Sequence, residues 1–311
     1  MKNATLIYNP IAGRQPGSRE KQIRGAVTAL ENQGFDVDMV ATTRPGSAGD
    51  LAQEAAQRGH LIIICGGDGT INEAINGMTP GHATLAVLPG GTANIFAKEI
   101  GLPRDPVRAA RELGQWQPRR IPLGMAAWKN EAVASAEHRF FLCLAGIGFD
   151  AYVVRKLESD FKKSWGVIAY ITEALRQSLR YPFQPFVCRV EGREIRATFA
   201  TVQRTERYAG WLHMAPGAHL DEPQFRLCLF KSTSRLRYFL YAPAVILRRH
   251  LRLADVELAQ TEKVECVPAK AEERIYFELD GELAGKLPAT FEIVPDALTV
   301  LAPCNKVNRE E

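Results

Sequence analysis

Long apolar runs are missing from this chain. No stretch approaches the roughly 18 residues that a membrane-spanning helix needs. The opening MKNATLIYNP also lacks the long apolar region of a secretory signal. Charge of one sign is in little excess: 39 Lys and Arg stand against 35 Asp and Glu, a formal net charge of +4. So small an excess excludes nucleic-acid binding by the whole surface and leaves room only for a local basic patch. The six cysteines (Cys65, Cys143, Cys188, Cys228, Cys266 and Cys304) include no C-x-x-C pair. They read as reduced, buried thiols of a cytosolic protein. The sequence has no G-x-x-x-x-G-K-[ST], which excludes a P-loop enzyme. Internal repeats and low-complexity tracts are missing too.

What remains is an ordinary globular composition, 46% hydrophobic over 311 residues, enough for about two domains. The first hundred residues alternate strand and helix. ATLIY (4–8), FDVDMVAT (35–42), LIIIC (61–65) and ATLAVLP (83–89) read as strands. Helices are predicted over 19–33, with Ser18 as N-cap and Gly34 as stop, and from SAGD (47–50), a capping-box spacing, to Gly59. LIIIC is apolar throughout, as expected of a strand covered on both faces. Such alternation predicts a parallel, doubly wound sheet that binds ligands at the carboxyl ends of its strands. After residue 120 the pattern changes. Strands are predicted over 139–145, 186–190, 195–203, 225–230, 256–259, 263–267, 274–279 and 290–294, with one helix near 164–180 between them. This density implies an antiparallel sandwich or barrel. The boundaries drawn are 1–122 for the α/β domain, with 292–311 as a candidate completing segment, and 123–291 for the second domain.

Three glycine-bearing loops fall at strand ends. GGDGTINEAING (66–77) follows the third strand. Thr70 and Glu73 have capping-box spacing, which predicts a helix beginning right after Gly69. Gly66, Gly67 and Gly69 let ligand atoms approach bare backbone N–H groups, an anion site at a helix start. NPIAG (9–13) and LPGGTANIFAKEIG (88–101) follow the first and fourth strands and place Asn9, Gly90, Gly91, Thr92 and Asn94 on the same edge. Asp68, a carboxylate among phosphate-binding amides, makes sense if Mg²⁺ lies between it and a triphosphate. That points to phosphoryl transfer. GIGFDA (146–151) matches a dinucleotide fingerprint but lies outside the alternating region, and is discounted as one. Asp280-Gly281-Glu282 ends a late strand in a tight turn that presents two acids.

Together, Asn9-Pro10, GGDGTINEAING, PGGTANIFAKEIGLP, AGIGFDA and LDGE resemble the bacterial diacylglycerol-kinase-like lipid kinases, in order from about residue 4 to 303. The adjacent Asn72-Glu73 separates this pattern from that of the NAD kinases. The resemblance implies a Rossmann-like domain followed by a mainly antiparallel β-sandwich that binds the lipid. It also implies ATP with Mg²⁺ in the cleft between them and transfer to the hydroxyl of a diacylglycerol-like or other long-chain alcohol. By position, Asn9, Thr42, Gly66, Gly67, Asp68, Gly69, Thr70, Ile71, Asn72, Gly91, Thr92 and Asn94 would contact the nucleotide. Asp68 would organise Mg²⁺, and Glu282 would take the proton of the alcohol. Asp280 is carried as a further metal candidate.

Three departures stand out. Asn94-Ile95-Phe96-Ala97-Lys98 replaces Asn-Asp-Phe-Ala-Arg, IPLG (121–124) has Pro122 in place of an Asp, and Asp221-Glu222-Pro223-Gln224 replaces Asp-Asp-Gly-Leu. A structural metal site at the last position would use His219, Glu222 and Gln224. Two alternatives stay open: a kinase of soluble substrates such as NAD, and a nucleotide-binding regulator with weak catalysis. RLRYFLYAPAVILRRHLRL (235–253) holds five arginines and no acid. It reads either as a basic helix lying on an anionic membrane surface or as one packed on the sandwich with its arginines in water. The expected location is therefore cytoplasmic and peripheral to a membrane, with no nucleic-acid partner. A homodimer is left open.

Overall fold

The computed structural model describes residues 2–12, 16–78, 83–130, 135–157, 176–208 and 212–304. Two compact units divide the chain: Met1–Pro122 with Pro295–Glu311, and Leu123–Val294.

In the first unit the elements run β1 (Lys2–Tyr8), α1 (Pro16–Glu31), β2 (Phe35–Ala41), α2 (Ser47–Gln57), β3 (Leu61–Gly66), α3 (Asp68–Gly77), β4 (Thr84–Pro89), α4 (Ile95–Glu99) and α5 (Pro106–Glu112). Then β5 (Gln117–Asn130) carries the chain across the boundary. The sheet order is β2-β1-β3-β4, all parallel, and Thr299 and Val300 of the last strand extend it beside β4. Chain order reverses between β1 and β3, the point at which a doubly wound sheet opens a crevice for ligands. Ile62, Ile63, Ile64 and Cys65 of β3 are completely buried, as the uninterrupted apolar run predicts.

Helix starts differ from the local signals. α1 begins at Pro16, so Ser18 lies within its first turn. α2 begins at Ser47 itself, after Gly46 in the left-handed conformation, and the Ser47 hydroxyl donates to the Arg44 carbonyl at 2.6 Å. Asp50 pairs with Arg44. α3 begins at Asp68, two residues before the predicted start, and Gly67 caps it with no side-chain bond. The reason is the contact made by this loop, described below.

The second unit is a sandwich. One sheet contains the β5–β6 pair (β6, Ser135–Phe141) and the run β18-β15-β8-β9, formed by β8 (Phe186–Val190), β9 (Arg193–Ala197), β15 (Lys263–Pro268) and β18 (Ala289–Ala302). The other has the order β14-β13-β10-β7-β16-β17. Its members are β7 (Leu144–Gly148), β10 (Phe199–Gln203), β13 (Phe225–Phe230), β14 (Val256–Thr261), β16 (Tyr276–Leu279) and β17 (Glu282–Lys286), while β11 (Arg207–Tyr208) and β12 (Leu212–His213) form a separate pair. All of its pairings are antiparallel. Phe141, Phe186, Val202, Phe225, Leu227, Phe277 and Phe291 fill the space between the sheets. The outer face of the six-stranded sheet carries α6 (Phe149–Leu157) and α7 (Arg235–Ile246) over an aromatic cluster that includes Phe149, Tyr181, Phe183, Phe230, Tyr238 and Tyr241.

Two predicted strands are in fact pairs. The run 139–145 divides into β6 and β7, and 195–203 divides into β9 and β10, each pair split between the two sheets. The breaks fall where backbone groups turn to partners outside the ladder: the amides of Leu142 and Cys143 go to Asp280, and Thr198 N–H goes to the Phe230 carbonyl. The helix predicted near 164–180 lies mostly outside the described residues. Pro243 sits inside α7. Five cysteines are buried, Cys304 is exposed, and all six are free thiols. No helix among the described residues is long and apolar enough to cross a membrane.

Candidate active site

In the first unit the loops after β3 and β4 touch through bare backbone. A Cβ added to Gly91 would lie 2.4 Å from the Cα of Gly67, so Gly91 has no room for a side chain, and one on Gly67 would lie 3.2 Å from the Cα of Gly91, a tight fit. Gly90 N–H donates to the Gly66 carbonyl at 2.9 Å, and Asn9 N–H to the Cys65 carbonyl at 3.3 Å, which brings the loop after β1 to the same edge. Asn9 Oδ1 accepts from Ile11 N–H at 3.0 Å and closes that loop. Thr42 joins the edge through its N–H, which donates to the Tyr8 carbonyl at 2.8 Å.

The contact between Gly67 and Gly91 explains the early start of α3. The Thr70 side chain lies against Gly66, where a Cβ would meet it at 2.8 Å, and does not cap the helix. Glu73 reaches across to accept from the Ala48 N–H of α2 at 3.4 Å. The first-turn N–H groups of α3 have no acceptor within the helix and point out of its positive end. Ile71 and Asn72 are buried, and Asn72 Oδ1 accepts from the Asn76 amide at 3.1 Å. Backbone amides are what this stretch leaves open for a ligand. Thr92 is exposed at the rim.

Asp68 stitches the two loops together. Its Oδ2 accepts from Ile95 N–H at 3.1 Å and its Oδ1 from Phe96 N–H at 3.0 Å, so the carboxylate caps α4, where a negative charge is favourable. Asn94, at positive φ, closes the loop by accepting from Gly91 N–H at 2.8 Å and donating to the Gly91 carbonyl at 2.9 Å. Sequence reasoning assigned Asp68 to a cation alone. Its first partners are amides.

Arg19 was not anticipated. It is buried, donates from Nη2 to the Cys65 carbonyl at 2.9 Å, and occupies the space over Gly90, where a Cβ would lie 2.1 Å from Nη2. Its Nε is buried with no hydrogen-bond partner among the described residues. A cation is thus fixed beneath the loops. Burial pushes the Cys65 thiol up to about 11, against the pull of Arg19, so the thiol is neutral.

In the second unit, Asp280-Gly281 joins β16 to β17 with both residues at positive φ, and Leu279 pairs with Glu282. This is the mirror-image turn that D-G predicts. The Asp280 carboxylate accepts from Leu142, Cys143 and Leu144 N–H at 2.7, 2.8 and 3.0 Å. Those bonds compete with the metal role carried for Asp280. Glu282 sits at the head of β17, partly exposed, and its Oε2 accepts from Arg139 at 2.6 Å. Arg139 lies on β6, 143 residues away in sequence, and no local signal pointed to it.

Behind the turn lies a buried acid pair. Glu278 Oε2 accepts from Gly281 N–H at 2.5 Å, and Asp150 Oδ1 accepts from the Tyr208 hydroxyl at 2.5 Å. A Cβ on Gly146 would come within 1.9 Å of Asp150 Oδ2 and 2.6 Å of Glu278 Oε1, so the GIGFDA glycine makes room for two carboxyl groups. Burial, and then the charge of Asp150, raise Glu278 well above the ordinary carboxylate range, against the pull of the Gly281 N–H. Glu278 thus keeps its proton to higher pH in the folded chain than in the unfolded one. Protons bound in the folded state exceed those in the unfolded state above the unfolded pKa, so this group's stabilisation is full below that pKa and is lost as pH rises through the raised one. Glu278→Gln, which stays neutral, is expected to match the parent melting temperature at pH 5 and exceed it at pH 8. Equal differences at both pH values would remove Glu278 from this titration.

Glu222 pairs with Arg226 at 3.4 Å, Gln224 accepts from Gln260, and His219 offers its backbone carbonyl to Glu222 N–H. Among the described residues no group of three or more His, Cys, Asp or Glu is placed to hold a metal ion.

Two family models match this chain in succession. A family model described as the diacylglycerol kinase catalytic domain matches residues 3–126, and one described as the YegS C-terminal NAD kinase beta sandwich-like domain matches 144–302. A diacylglycerol kinase of Bacillus subtilis (strain 168) is 30% identical over 321 aligned residues, covering 99% of each chain. One of Staphylococcus aureus (strain Newman) is 27% identical, covering 99% of this chain and 95% of its own. In fold, the chain is similar to a diacylglycerol kinase crystal structure from Bacillus anthracis str. Sterne, with TM-score 0.69 and 23% identity over 97% of this chain and 96% of that one. It is more distantly similar to yeast NADH kinase complexed with NADH, with TM-score 0.53 and 10% identity over 97% and 84% of the two chains.

Proposed function

We propose, on the premise that this chain belongs to the diacylglycerol kinase family, that it transfers the γ-phosphoryl group of ATP to the hydroxyl of a diacylglycerol-like or other long-chain lipid alcohol in the presence of Mg²⁺. Membership makes the chain a phosphotransferase with an alcohol acceptor and implies ATP as donor. The identity of the lipid and the need for magnesium are the proposed parts.

One observation carries the reading. Two glycine loops meet backbone to backbone at the carboxyl ends of parallel strands, above the buried guanidinium of Arg19. Bare amides at the start of α3, backed by a fixed positive charge, suit phosphate oxygens rather than an apolar ligand. Asn9, Gly67, Gly69, Gly91 and Thr92 are proposed to line this seat. Asp68 is the single acid in the stretches 9–12, 42–46, 67–70 and 90–94, and its oxygens already accept two amides. That donor set fits a cation brought in by the nucleotide, not one held by a protein cage. Magnesium, when bound, would neutralise triphosphate charge and link it to Asp68.

Glu282 is the proposed proton acceptor. Arg139 holds its Oε2, which leaves Oε1 to accept from the alcohol. A free glutamate is a far weaker base than an alkoxide, so the proton moves late, as the bond to phosphorus develops. The Asp280-Gly281 turn, anchored by three amides on one side and by Glu278 on the other, sets the direction of that carboxylate.

Incubating the protein with labelled ATP, Mg²⁺ and a panel of lipid alcohols, NAD and sugars tests the assignment. Label in lipid is the expected result. Transfer only to NAD would move the chain to the soluble-substrate class. ATP binding without transfer to anything would favour a regulatory role, for which the replacement of two family acids by Ile95 and Pro122 is the motivating feature.

A further inference from the structure

Helix α7 has two apolar faces. One is buried: Tyr238, Tyr241 and Val245 point into the aromatic cluster, where Tyr238 stacks on Phe183 with ring centroids 3.8 Å apart and the Tyr241 hydroxyl donates to Asp255 at 2.6 Å. The other is open. Leu236, Leu240 and Leu247 recur at helical spacing with 77%, 54% and 64% of their surface exposed, and Phe239, Ile246 and Leu251 flank them, also exposed. Six large apolar side chains in one short segment far exceed the scattered exposed leucines of an ordinary surface.

Charge is arranged around this face with one sign. Arg235 precedes it, and Arg248, Arg249 and Arg252 follow it, all exposed. None of these four forms an ion pair among the described residues, whereas Arg237 is spent on a two-pronged bond to Asp255 at 2.6 and 2.8 Å. The segment 235–253 contains no acid. Two copies of such a face would bring arginine against arginine, which disfavours self-association. A surface that is apolar just below a negatively charged layer satisfies both features at once.

We propose that this face of α7, with the residues that follow it to Arg252, docks on an anionic lipid bilayer. The leucines enter the boundary between headgroups and acyl chains, and Arg235, Arg248, Arg249 and Arg252 meet the lipid phosphates. The proposal rests on the lipid-acceptor reading, because it supplies the surface by which the protein reaches an acceptor confined to a membrane. It adds no residue to the chemistry.

Sedimentation with large vesicles tests it, using phosphatidylcholine alone or mixed with phosphatidylglycerol, at low salt and at about 0.5 M salt, where charge attraction is screened. The parent protein is expected to pellet with the mixed vesicles at low salt and to be released severalfold by salt or by omission of the anionic lipid. An arginine near such a surface is worth about fivefold in partitioning. The Arg248→Glu, Arg249→Glu double variant should therefore bind the mixed vesicles about 25-fold or more weakly. The Leu240→Asp, Leu247→Asp variant should lose binding at least about tenfold. All four positions are exposed, so folding is retained, and both variants should phosphorylate a short-chain, water-soluble diacylglycerol at the parent rate.

Equal vesicle binding by parent and variants would overturn the proposal, as would a parent protein that ignores anionic vesicles. A concentration-dependent dimer dissociated by the leucine changes would overturn it too, by giving the face to a second copy. A parent protein that phosphorylates the short-chain acceptor but does not bind vesicles sinks the docking surface alone. Vesicle binding of the expected pattern with no transfer to any alcohol sinks the kinase reading and leaves the surface standing.

Discussion

Asp68→Asn is expected to bring turnover down to background, a loss of at least about 10³-fold, while the protein still folds. The carboxylate has two jobs, and the substitution affects them unequally. As a cap, asparagine keeps one acceptor for the amides of Ile95 and Phe96 and turns an NH₂ group toward the other, leaving one donor unsatisfied. That costs about 1–3 kcal/mol, within a typical domain stability of about 5–15 kcal/mol. As a charge, it is removed outright, and no other acid stands in the stretches 67–70 and 90–94. Melting temperature, ATP affinity by calorimetry and initial rate separate the two jobs. A few degrees of lost stability with no turnover fits both. An Asp68→Asn enzyme running at the parent rate would confine the residue to stitching the loops.

Glu282→Gln should lower kcat by about 10²-fold or more and leave ATP affinity and melting temperature close to those of the parent. Gln cannot take a proton, so the loss belongs to the chemical step. Little stability should be lost, because the ion pair with Arg139 is partly exposed and such pairs contribute at most about 1 kcal/mol. The turn itself should persist, since its conformation depends on Asp280 and Gly281 and on the amides and the acid that hold them. A rise in the KM for ATP with unchanged kcat would make Glu282 a binding residue. A variant as fast as the parent would remove it from the mechanism.

Local signals predicted some features well and others badly, for separable reasons. The D-G hairpin was legible because both central residues must adopt positive φ, a demand met within two positions. The all-apolar β3 was legible because burial on two faces needs nothing but apolar side chains. The capping-box spacing at Ser47 located the start of α2 though not its cap, and that at Thr70 misplaced the start of α3. The same residue types sit one to three positions inside their helices, and Gly67 against Gly91 decides where α3 begins. The strand runs at 139–145 and 195–203 were apolar enough to look continuous, yet each changes sheet midway. Arg19, Arg139 and Glu278 passed unnoticed, because a lone charged residue in a helix or strand carries no mark of what it will meet.

The amino-acid order alone determined the succession of strands and helices, the parallel and antiparallel character of the two halves, and the glycine loops at the strand ends. Each depends on periodicity or backbone freedom within a few residues. Which amide, guanidinium or acid each carboxylate would meet was decided by the tertiary structure. Asp68 finds Ile95 and Phe96, Asp280 finds residues 142–144, and Glu282 finds Arg139 across 143 positions. A charge takes its partner from whatever packing brings within about 3 Å, and no short-range pattern in the chain encodes that distance.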